Sequence, residues 1–379
     1  MREVAVLGVG MTPFVGRTDV SLREQCYRAG RAALDDAGVT FPQVGSVYMG
    51  YLWEPTMTGV RFLKEFGLTG VHVQHVQNAS ATGSGAMHEA VRAVAGGHSE
   101  VAMAIGFDDM QKINGAGFDD DSAEGCILPA AFFALWAQER ALTYGTTPET
   151  LAKIAAKNWN HAALNPNAQR RPSEPVTPEK ILASRMIAEP LTSMMSAAVS
   201  QGAACAIVGT PEMARRLRPD RPPVLVKASS MQSESYTPHH LFVGPVVGPP
   251  EMTTATARLA YDQAGLGPED LDLVQVHDAF PIEELVYYET LGICGDGEGD
   301  KLVAEDATAL GGRIPFSTDG GLIGRGHPGG STGLAQIWET TLQLRGEAGP
   351  RQIEGARNGL CHMVGGGSVC FIHILQRGS

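Results

Sequence analysis

Short runs of apolar residues alternate along the chain with longer stretches in which apolar residues recur at helical spacing. This pattern predicts strands and helices that follow one another in turn, which is typical of α/β proteins. The order strand, alanine-rich helix closing on glycine, strand is found twice, in one copy at 4–10, 33–38 and 46–49 and in the other at 224–230, 260–265 and 273–276. The chain is therefore predicted to contain an internal duplication.

A second pair of segments supports the duplication. Helices are predicted at 82–97 and 332–346, each with small residues at its start, and strands are predicted to follow them at 100–105 and 368–375. Because consecutive βα units place helices on both faces of a sheet, two such halves would pack around a shared central layer of helices.

The segment between the two copies differs in composition. Asn165-Pro166 and Arg171-Pro172 mark Pro- and Arg-rich turns, which favour a loop or lid region. The predicted division is an N-terminal half at 1–114, an inserted loop or lid region at 115–235 and a C-terminal half at 236–379.

Composition narrows the class of function. The 379 residues are 43% hydrophobic and include 46 glycines, which suits a compact α/β enzyme with many tight turns. The net charge of −12 argues against nucleic acid as the partner, because phosphates are neutralised by basic residues. Gly8-Val9-Gly10 lacks the third glycine of a dinucleotide-binding motif. A polyanionic ligand would need a local basic cluster, for which the candidates are Arg170, Arg171, Lys180 and Arg185.

Cysteine usage and hydropathy predict a cytoplasmic protein. The six cysteines are scattered without a CxxC pair, which predicts reduced thiols and neither a disulfide framework nor a metal site. No segment approaches the ~20 apolar residues of a membrane-spanning helix. The N-terminal residues enter a strand directly, without the cationic and long apolar stretches of a signal peptide.

Four segments carry candidate chemistry, and the first lies just before a predicted helix. It reads Asn-Ala-Ser-Ala-Thr-Gly-Ser-Gly at 78–85. Unpaired N–H groups and the helix dipole would lower the pKa of a cysteine in the place of Ser80, whereas a serine hydroxyl needs a positioned base to act as a nucleophile. The structural alternative is that Ser80 is the N-cap of the helix.

The other three segments each contribute a histidine at a junction between elements. His277 lies at a predicted strand end, and His327 is flanked by glycines that allow close approach to a ligand. His362 is predicted to lie on a turn at 361–367, where backbone N–H groups are available for an oxyanion hole. Each histidine alone is typical of a structural residue, but three at such junctions together with Ser80 predict a catalytic site.

At these segments the chain resembles the thiolase superfamily along nearly its whole length, and most closely the sterol-carrier-protein-x or lipid-transfer-protein type. Residues 277–280 match the His-Asp-x-Phe motif of that type, and residues 326–333 match Gly-His-Pro-x-Gly-x-(Thr/Ser)-Gly. His362 and the glycines at 365–367 fit its His-Asn-x-Gly block, with Met363 in place of asparagine.

The resemblance implies a duplicated thiolase fold with five layers, αβαβα, and an inserted loop domain. It also implies a homodimer and an acyl-CoA tunnel partly roofed by the middle region. The chemistry of the family is a reversible Claisen reaction in which coenzyme A is a substrate and no cofactor is bound covalently.

Residue roles follow from the resemblance by position. Ser80 occupies the acyl-acceptor site, His327 is its activating base, His362 is the second acid/base and His277 helps to hold the thioester oxygen. The backbone N–H groups near Ser80 and Val364 would form the other oxyanion hole. The glycines expected to bind coenzyme A or substrate are Gly329, Gly365 and Gly366.

The departure from the family is at the nucleophile, where Ser80 replaces cysteine. Three interpretations are open: an engineered inactive variant of a thiolase, a retro-aldolase acting on a 3-hydroxyacyl-CoA, or a non-catalytic acyl-CoA-binding subunit. Steroid side-chain aldolases of the superfamily place tyrosines where this chain has His277 and His327, so a thiolase-type acyltransferase is favoured, in which the serine is either engineered or strongly attenuating.

The acyl group and the partner are less specified. Five residues in or just before the middle region are candidates for lining an acyl pocket, although a place in the core is more typical of such residues. They are Met110, Phe132, Phe133, Trp136 and Met194. Bacterial thiolases of this type often work with a small accessory protein carrying an OB-fold and a zinc ribbon, which makes such a subunit an expected partner.

Overall fold

A computed structural model describes residues 2–114, 129–236 and 248–379. Its strands are β1 Ala5–Met11, β2 Ser46–Gly50, β3 His72–Val76, β4 Ala102–Asp109, β5 Met186–Ala188, β6 Leu191–Thr192, β7 Gln201–Gly209, β8 Val224–Ser233, β9 Leu273–Gln275, β10 Asn358–Gly365 and β11 Val369–Arg377. Its α-helices are α1 Leu22–Ala37, α2 Thr58–Leu63, α3 Thr82–Ala95, α4 Pro129–Tyr144, α5 Pro148–Ala163, α6 Pro178–Leu182, α7 Pro211–Leu217, α8 Pro250–Ala264, α9 Pro281–Thr290, α10 Gly299–Ala304, α11 Gly321–Gly324 and α12 Gly329–Arg345.

The main sheet has the strand order β3-β2-β4-β7-β1-β8-β11-β10-β9, and its two halves repeat one topology. In the first half β7 runs antiparallel between β1 and β4, and β2 is parallel to β4. In the second half β11 runs antiparallel between β8 and β10, and β9 is parallel to β10. The halves meet at β1 and β8, which share only the pairs Ala5↔Leu225 and Val6↔Val224. The predicted duplication is confirmed.

The helices form layers on both sides of each half-sheet. Alternate residues of β1 face opposite ways, so that Ala5 and Leu7 pack with α1 while Val6 packs in the core shared with α3 and α12. On the other half, α8 covers β8 and β11. Helices α3 and α12 pack against each other and touch strands of both halves. The five-layer αβαβα arrangement and the shared central helices are confirmed.

The segment around His362 differs from the prediction. Residues 361–367 were expected on a turn, but Cys361 to Gly365 belong to β10, and only residues 366–368 form the turn to β11. Strand β10 is almost entirely buried. A strand buried on both faces lacks the alternation of apolar and polar residues by which a half-exposed strand is identified.

The predicted boundaries of the inserted region also need correction. Strands β7 and β8 lie within 115–235, yet β7 is central in the first half of the sheet and β8 opens the second half. The described part of the inserted region therefore consists of α4, α5, α6 and the β5–β6 hairpin, which precede β7 in the chain. A buried apolar strand after a long Pro-rich stretch carries no local sign of the sheet to which it belongs.

Two smaller predictions concern cysteines and membranes. Four of the five cysteines in the described ranges are buried, and Cys126 lies outside those ranges. Among the described helices, none combines the length and the apolarity that crossing a bilayer requires.

Glycines allow α3 and α12 to approach each other at backbone distance. A Cβ atom on Gly83 would lie 2.9 Å from the carbonyl oxygen of Gly330, and one on Gly333 would lie 2.6 Å from the amide nitrogen of Ser84. Both neighbours are backbone atoms that cannot turn aside, so only glycine fits. The close approach brings the N-termini of the two helices side by side.

Replacing Gly330 with alanine is expected to destabilise the fold by about 1–3 kcal/mol, the usual cost of overpacking a core. The added Cβ would lie 2.7 Å from the carbonyl oxygens of both Gly50 and Phe107. Urea unfolding followed by circular dichroism measures the change. Gly16→Ala is the control, because its Cβ would meet only the flexible end of Gln169, at 3.2 Å. Equal unfolding midpoints for the two variants would contradict the prediction.

Candidate active site

Ser80 and His327, which are 247 residues apart in sequence, meet where α3 and α12 begin. The Ser80 hydroxyl lies 3.2 Å from Nε2 of His327. The N-cap of α3 is Ala81, and no side chain caps this helix. The interpretation of Ser80 as a capping residue was therefore wrong, and its hydroxyl instead contacts an imidazole contributed by the other half of the molecule.

The tautomer of His327 follows from the hydrogen bond that its other ring nitrogen, Nδ1, makes with Thr332. The Thr332 hydroxyl donates to the carbonyl oxygen of Pro328 at 2.7 Å, so it accepts a hydrogen bond from Nδ1 of His327, at 2.8 Å. The proton is thus on Nδ1, and the lone pair of Nε2 faces the Ser80 hydroxyl. Burial, reinforced by His277 and Arg325, holds the pKa of His327 well below its usual range. The imidazole is neutral and able to accept a proton.

The loop that carries His327 is anchored on the residues before β7. The backbone N–H of His327 donates to the carbonyl oxygen of Ala198 at 3.1 Å and to the Ser200 hydroxyl at 3.0 Å. Gly326 has a φ of +117°, and a Cβ there would lie 2.4 Å from the same hydroxyl. This turn therefore requires glycine, which explains the residue before the histidine.

His277 lies beside His327 and is bound to a buried carboxylate. The two rings meet edge to face with centroids 5.5 Å apart. His277 Nδ1 is 2.8 Å from Oε1 of Glu283, which also accepts from the Tyr287 hydroxyl at 3.1 Å. Nε2 of His277 is buried and has no hydrogen-bond partner among the described residues. The sequence predicted His277 but gave no role to Glu283 or Tyr287.

His362 lies in the buried part of β10, beside Tyr287. Its side chain is fully buried, and its Nε2 is 3.0 Å from the Thr253 hydroxyl. Its ring packs against Tyr287 with centroids 4.3 Å apart, and Nδ1 has no hydrogen-bond partner in the part of the chain that the structure describes. Burial, with a smaller effect of His277, lowers the pKa of His362 to about 3. His362 therefore connects to the site through Tyr287 and Glu283.

The glycines after His362 pack against the segment that carries Ser80. A Cβ on Gly365 would lie 2.2 Å from the carbonyl oxygen of Asn78, and Val364 is buried in β10 opposite Cys370. Gly366 is half-buried in the following turn. Backbone of β10 thus lies next to the segment that carries Ser80, as an oxyanion hole built from both would require.

Two buried aspartates, to which the sequence analysis assigned no role, hold the motifs together. Asp278 accepts from the backbone N–H of Leu322 at 2.7 Å and from the Asn158 side chain at 2.8 Å, which ties the His277 segment to the chain before His327. Asp108, at the end of β4, accepts from the N–H of Gly330 at 2.9 Å. Burial raises the pKa of Asp108 to about 7. A buried acid at a strand end is the signal that could have identified both.

The predicted basic cluster is only partly available to a ligand. Arg170 is half-buried, donates to the carbonyl oxygens of Ser196 and Ile323 at 2.7 and 2.8 Å, and stacks on Trp159. Burial lowers its pKa to about 10. The other three members are exposed and form no ion pair among the described residues: Arg171, Lys180 and Arg185.

The predicted lining residues are largely core. Phe132 and Phe133 are buried in the cluster that underlies α9, and Trp136 and Met194 pack on its edge. Met110 accepts a hydrogen bond from the Trp53 indole at 3.0 Å, and its sulfur lies 3.5 Å from the Cβ position of Gly329, the first residue of α12. Met110 therefore borders the start of α12.

Comparison with known proteins gives matches in both halves of the chain. Residues 4–207 match the family described as "Thiolase, N-terminal domain", and residues 248–377 match "Thiolase C-terminal domain-like". Thiolases use coenzyme A as a substrate.

Among relatives, the chain is 36% identical to the acetyl-CoA acetyltransferase of Methanothermobacter thermautotrophicus, with all of both chains covered. It is 34% identical to sterol carrier protein 2 of Rattus norvegicus, over 99% of this chain and 72% of that protein. The solved structure of the Ltp2-ChsH2(DUF35) aldolase superimposes with a TM-score of 0.83 at 26% identity, over 99% of this chain and 98% of that one. This chain belongs to the thiolase family of acyltransferases.

Proposed function

We propose that the chain transfers an acyl group between a 3-ketoacyl-CoA and coenzyme A, with Ser80 as the acyl acceptor and His327 as its base. The observation that carries the proposal is the 3.2 Å contact between the Ser80 hydroxyl and a histidine nitrogen whose lone pair is directed to it by Thr332. A general base must lie within hydrogen-bond reach of the proton that it removes, and this one does.

The reaction proceeds in two half-reactions. The Ser80 oxygen gives its proton to Nε2 of His327 and attacks the 3-keto carbon, after which the bond between C2 and C3 breaks and its electron pair passes to C2. The second acid/base of the site protonates C2, which releases the shorter acyl-CoA and leaves the acyl group as an ester on Ser80. In the second half-reaction the thiol of coenzyme A gives its proton to that second acid/base and attacks the ester, and the Ser80 oxygen leaves and takes its proton back from His327.

The remaining positions have supporting roles in the proposal. His277, with Nε2 free in the buried site, holds the thioester oxygen, and backbone N–H groups near Ser80 and Val364 form the second oxyanion hole. The proposed close contacts with coenzyme A and substrate are at Gly329, Gly365 and Gly366. His362 stays the candidate second acid/base in the family's pattern, and its ring packs against Tyr287.

The serine determines how fast this reaction runs. A hydroxyl starts much further from ionisation than a thiol, so attack on the substrate is slower. An oxygen ester also lies lower in free energy than a thioester, so transfer from Ser80 back to coenzyme A runs uphill. We infer an acyltransferase whose second half-reaction is the slower one.

A second candidate is retro-aldol cleavage of a 3-hydroxyacyl-CoA, which needs a base but no nucleophile. The structural match to an aldolase over nearly the whole chain favours it. Retention of activity in Ser80→Ala would distinguish it from acyl transfer. A non-catalytic acyl-CoA-binding subunit, the third candidate, would bind acyl-CoA and cleave nothing.

A homodimer is part of the proposal, as is an accessory subunit. Among the described strands, β3 is an edge of the main sheet and pairs only with β2, which leaves one side for another strand. Exposed apolar residues lie nearby at Met57, Val60 and Leu68. The accessory subunit is suggested by the two-component name of the Ltp2-ChsH2(DUF35) aldolase. A cytoplasmic location also stays a prediction.

Trapping the acyl-enzyme tests the proposed function. After incubation with a 3-ketoacyl-CoA, intact-mass spectrometry is expected to show one added acyl group, and peptide mapping to place it on the peptide containing Ser80. The ester should accumulate because its transfer to coenzyme A runs uphill. The Ser80→Ala variant is the control and should gain no mass. Acylation that persists in that variant, or its absence in the original chain with every chain length tried, would rule out the serine as acceptor.

A further inference from the structure

Two chain segments that follow the parallel strands β2 and β4 are bound to each other next to the candidate active site. Asp108, near the end of β4, accepts from the backbone N–H groups of Leu52 and Trp53, each at 3.2 Å. The Trp53 indole donates to the sulfur of Met110 at 3.0 Å. These hydrogen bonds fix the segment after β2 against the segment after β4.

Both segments lie against the start of α12. A Cβ on Gly329 would lie 3.2 Å from Cδ1 of Leu52 and 3.5 Å from the sulfur of Met110. The backbone N–H of Met110 donates to the carbonyl oxygen of Ser200 at 3.0 Å, and the hydroxyl of this serine accepts from the N–H of His327, also at 3.0 Å. Ser200 therefore holds Met110 and the base of the site close to each other.

The nucleophile reaches the same place from α3. A Cβ on Gly50, the last residue of β2, would lie 2.7 Å from Cγ2 of Thr82, the first residue of α3, and Thr82 is two residues after Ser80. In α/β sheets, ligands bind in the crevice outside the carboxyl ends of parallel strands. The ends of β2 and β4 and the first turns of α3 and α12 border such a crevice, in which Ser80 contacts His327.

Large apolar side chains border this crevice at Leu52, Trp53 and Met110. All three are half-buried, whereas their neighbours Tyr51 and Phe107 are only 2% and 0% exposed and stack in the core with ring centroids 5.0 Å apart. The sequence thus places its core aromatics first and leaves the next apolar residues accessible. Accessible apolar and aromatic side chains around a few polar groups are typical of a ligand pocket.

We propose that Leu52, Trp53 and Met110 form a wall that receives the apolar tail of the acyl group and determines which acyl chains the enzyme accepts. We call these three residues the acyl wall. The inference rests on the proposed function for the reaction and adds a substrate class to it, namely thioesters whose acyl group extends beyond acetyl as an apolar chain. The wall lies beside Gly329, two residues after His327, so a chain that begins at Ser80 has the wall within its reach.

The physical basis of selection is the removal of apolar chain from water. Each methylene group that the wall covers is expected to raise affinity about fourfold. Because Asp108 already fixes the backbone of Leu52 and Trp53, little of that gain is spent on ordering the wall when the ligand binds. Affinity should therefore rise with chain length until the chain extends past the wall.

The test measures binding of saturated acyl-CoAs, which have no 3-keto group to be cleaved. In isothermal titration calorimetry the original chain is expected to bind decanoyl-CoA at least about tenfold more tightly than acetyl-CoA. In Met110→Gln this preference should fall about tenfold, because the chain would cover an amide and remove it from water. Glutamine has a similar length and can still accept from the Trp53 indole, so the link between the two segments is kept.

Three further variants separate the apolar surface from the stability of the fold. Met110→Leu keeps the surface apolar and should retain the preference for the long chain. Leu52→Asn should lower the preference as Met110→Gln does, and it decides the question if Met110→Gln does not fold. Met213→Gln is the matched control: this half-buried methionine lies on α7 and packs against the core on the α1 side, so its replacement should leave the preference unchanged. A thermal melt of each variant checks the fold.

Several outcomes would overturn the acyl wall. They are equal preferences in Met110→Gln and Met213→Gln, a loss of affinity that is the same for both thioesters, and an original chain that binds acetyl-CoA as tightly as decanoyl-CoA. The titration needs no turnover. Failure to trap an acyl group on Ser80 would therefore count against the proposed function alone, whereas an unchanged chain preference would count against the wall.

Discussion

Replacing Ser80 with cysteine is expected to raise CoA-dependent cleavage of a 3-ketoacyl-CoA by a factor on the order of 100 or more, which corresponds to about 2.7 kcal/mol in the activation barrier. Everything that a thiol needs is in place. The residue precedes α3, where the helix dipole favours a thiolate, and Nε2 of His327 is within reach of its proton. The acyl group would then be held as a thioester, and its transfer to coenzyme A would be nearly balanced in free energy.

The measurement is the loss of 3-ketoacyl-CoA absorbance with added coenzyme A, over acyl chains of several lengths. Ser80→Ala is the matched control, because it removes the hydroxyl without adding a nucleophile, and it should show no gain. If Ser80→Cys is no faster than Ser80→Ala with any chain length, the thiolase assignment of this site fails and a binding-only subunit becomes the better interpretation.

Substituting glutamine for His327 in the Ser80→Cys protein is expected to reduce kcat by about 10²- to 10⁴-fold, the usual contribution of a general base. Glutamine retains a polar head near Ser80 but cannot accept the proton. The fold should tolerate the change, because the loop is held by backbone contacts of His327 with Ala198 and Ser200. Single-turnover acylation measures the effect, and a thermal melt on the same sample checks the fold.

The pH dependence of acylation provides a second test of His327. A base works above its own pKa, and the pKa of His327 is held well below the usual value by burial and by its neighbours. The acylation rate is therefore expected to stay level from neutral pH down past about 6.5, the ordinary value for histidine. A rate that already falls by half near that value would mean that another group is the base, as would retention of full activity in His327→Gln.

A substitution at Thr332 distinguishes the loss of the base in His327→Gln from a loss of packing around the histidine. Thr332→Val keeps the shape of the side chain but removes the hydroxyl that orients Nδ1 of His327. We expect the kcat of Thr332→Val to lie between the kcat of the protein with Thr332 and that of His327→Gln. The imidazole can still accept a proton in Thr332→Val, but it is no longer fixed in one tautomer.

The sequence by itself determined the class of fold, the duplication and the four motifs. These features are written locally: strand and helix differ in the period of their apolar residues, and glycines that permit close approach recur at fixed spacing around Ser80 and His327. The motif order identified the thiolase family, which the matches to both halves confirm. The apolar runs at 4–10 and 224–230 correspond to β1 and β8, although their junction could not be read from either.

Tertiary structure decided which hydrogen-bond partners the nitrogens of each histidine have and which acid contacts His277. Glu283 is six residues from His277, and its role as a cap of the Phe280 N–H hides its second contact. Ser80 and His327 come from opposite halves of the chain, and burial, with a smaller effect of His277, lowers the pKa of His362. Protonation depends on desolvation and on charges brought together by folding, which no local pattern of residues records.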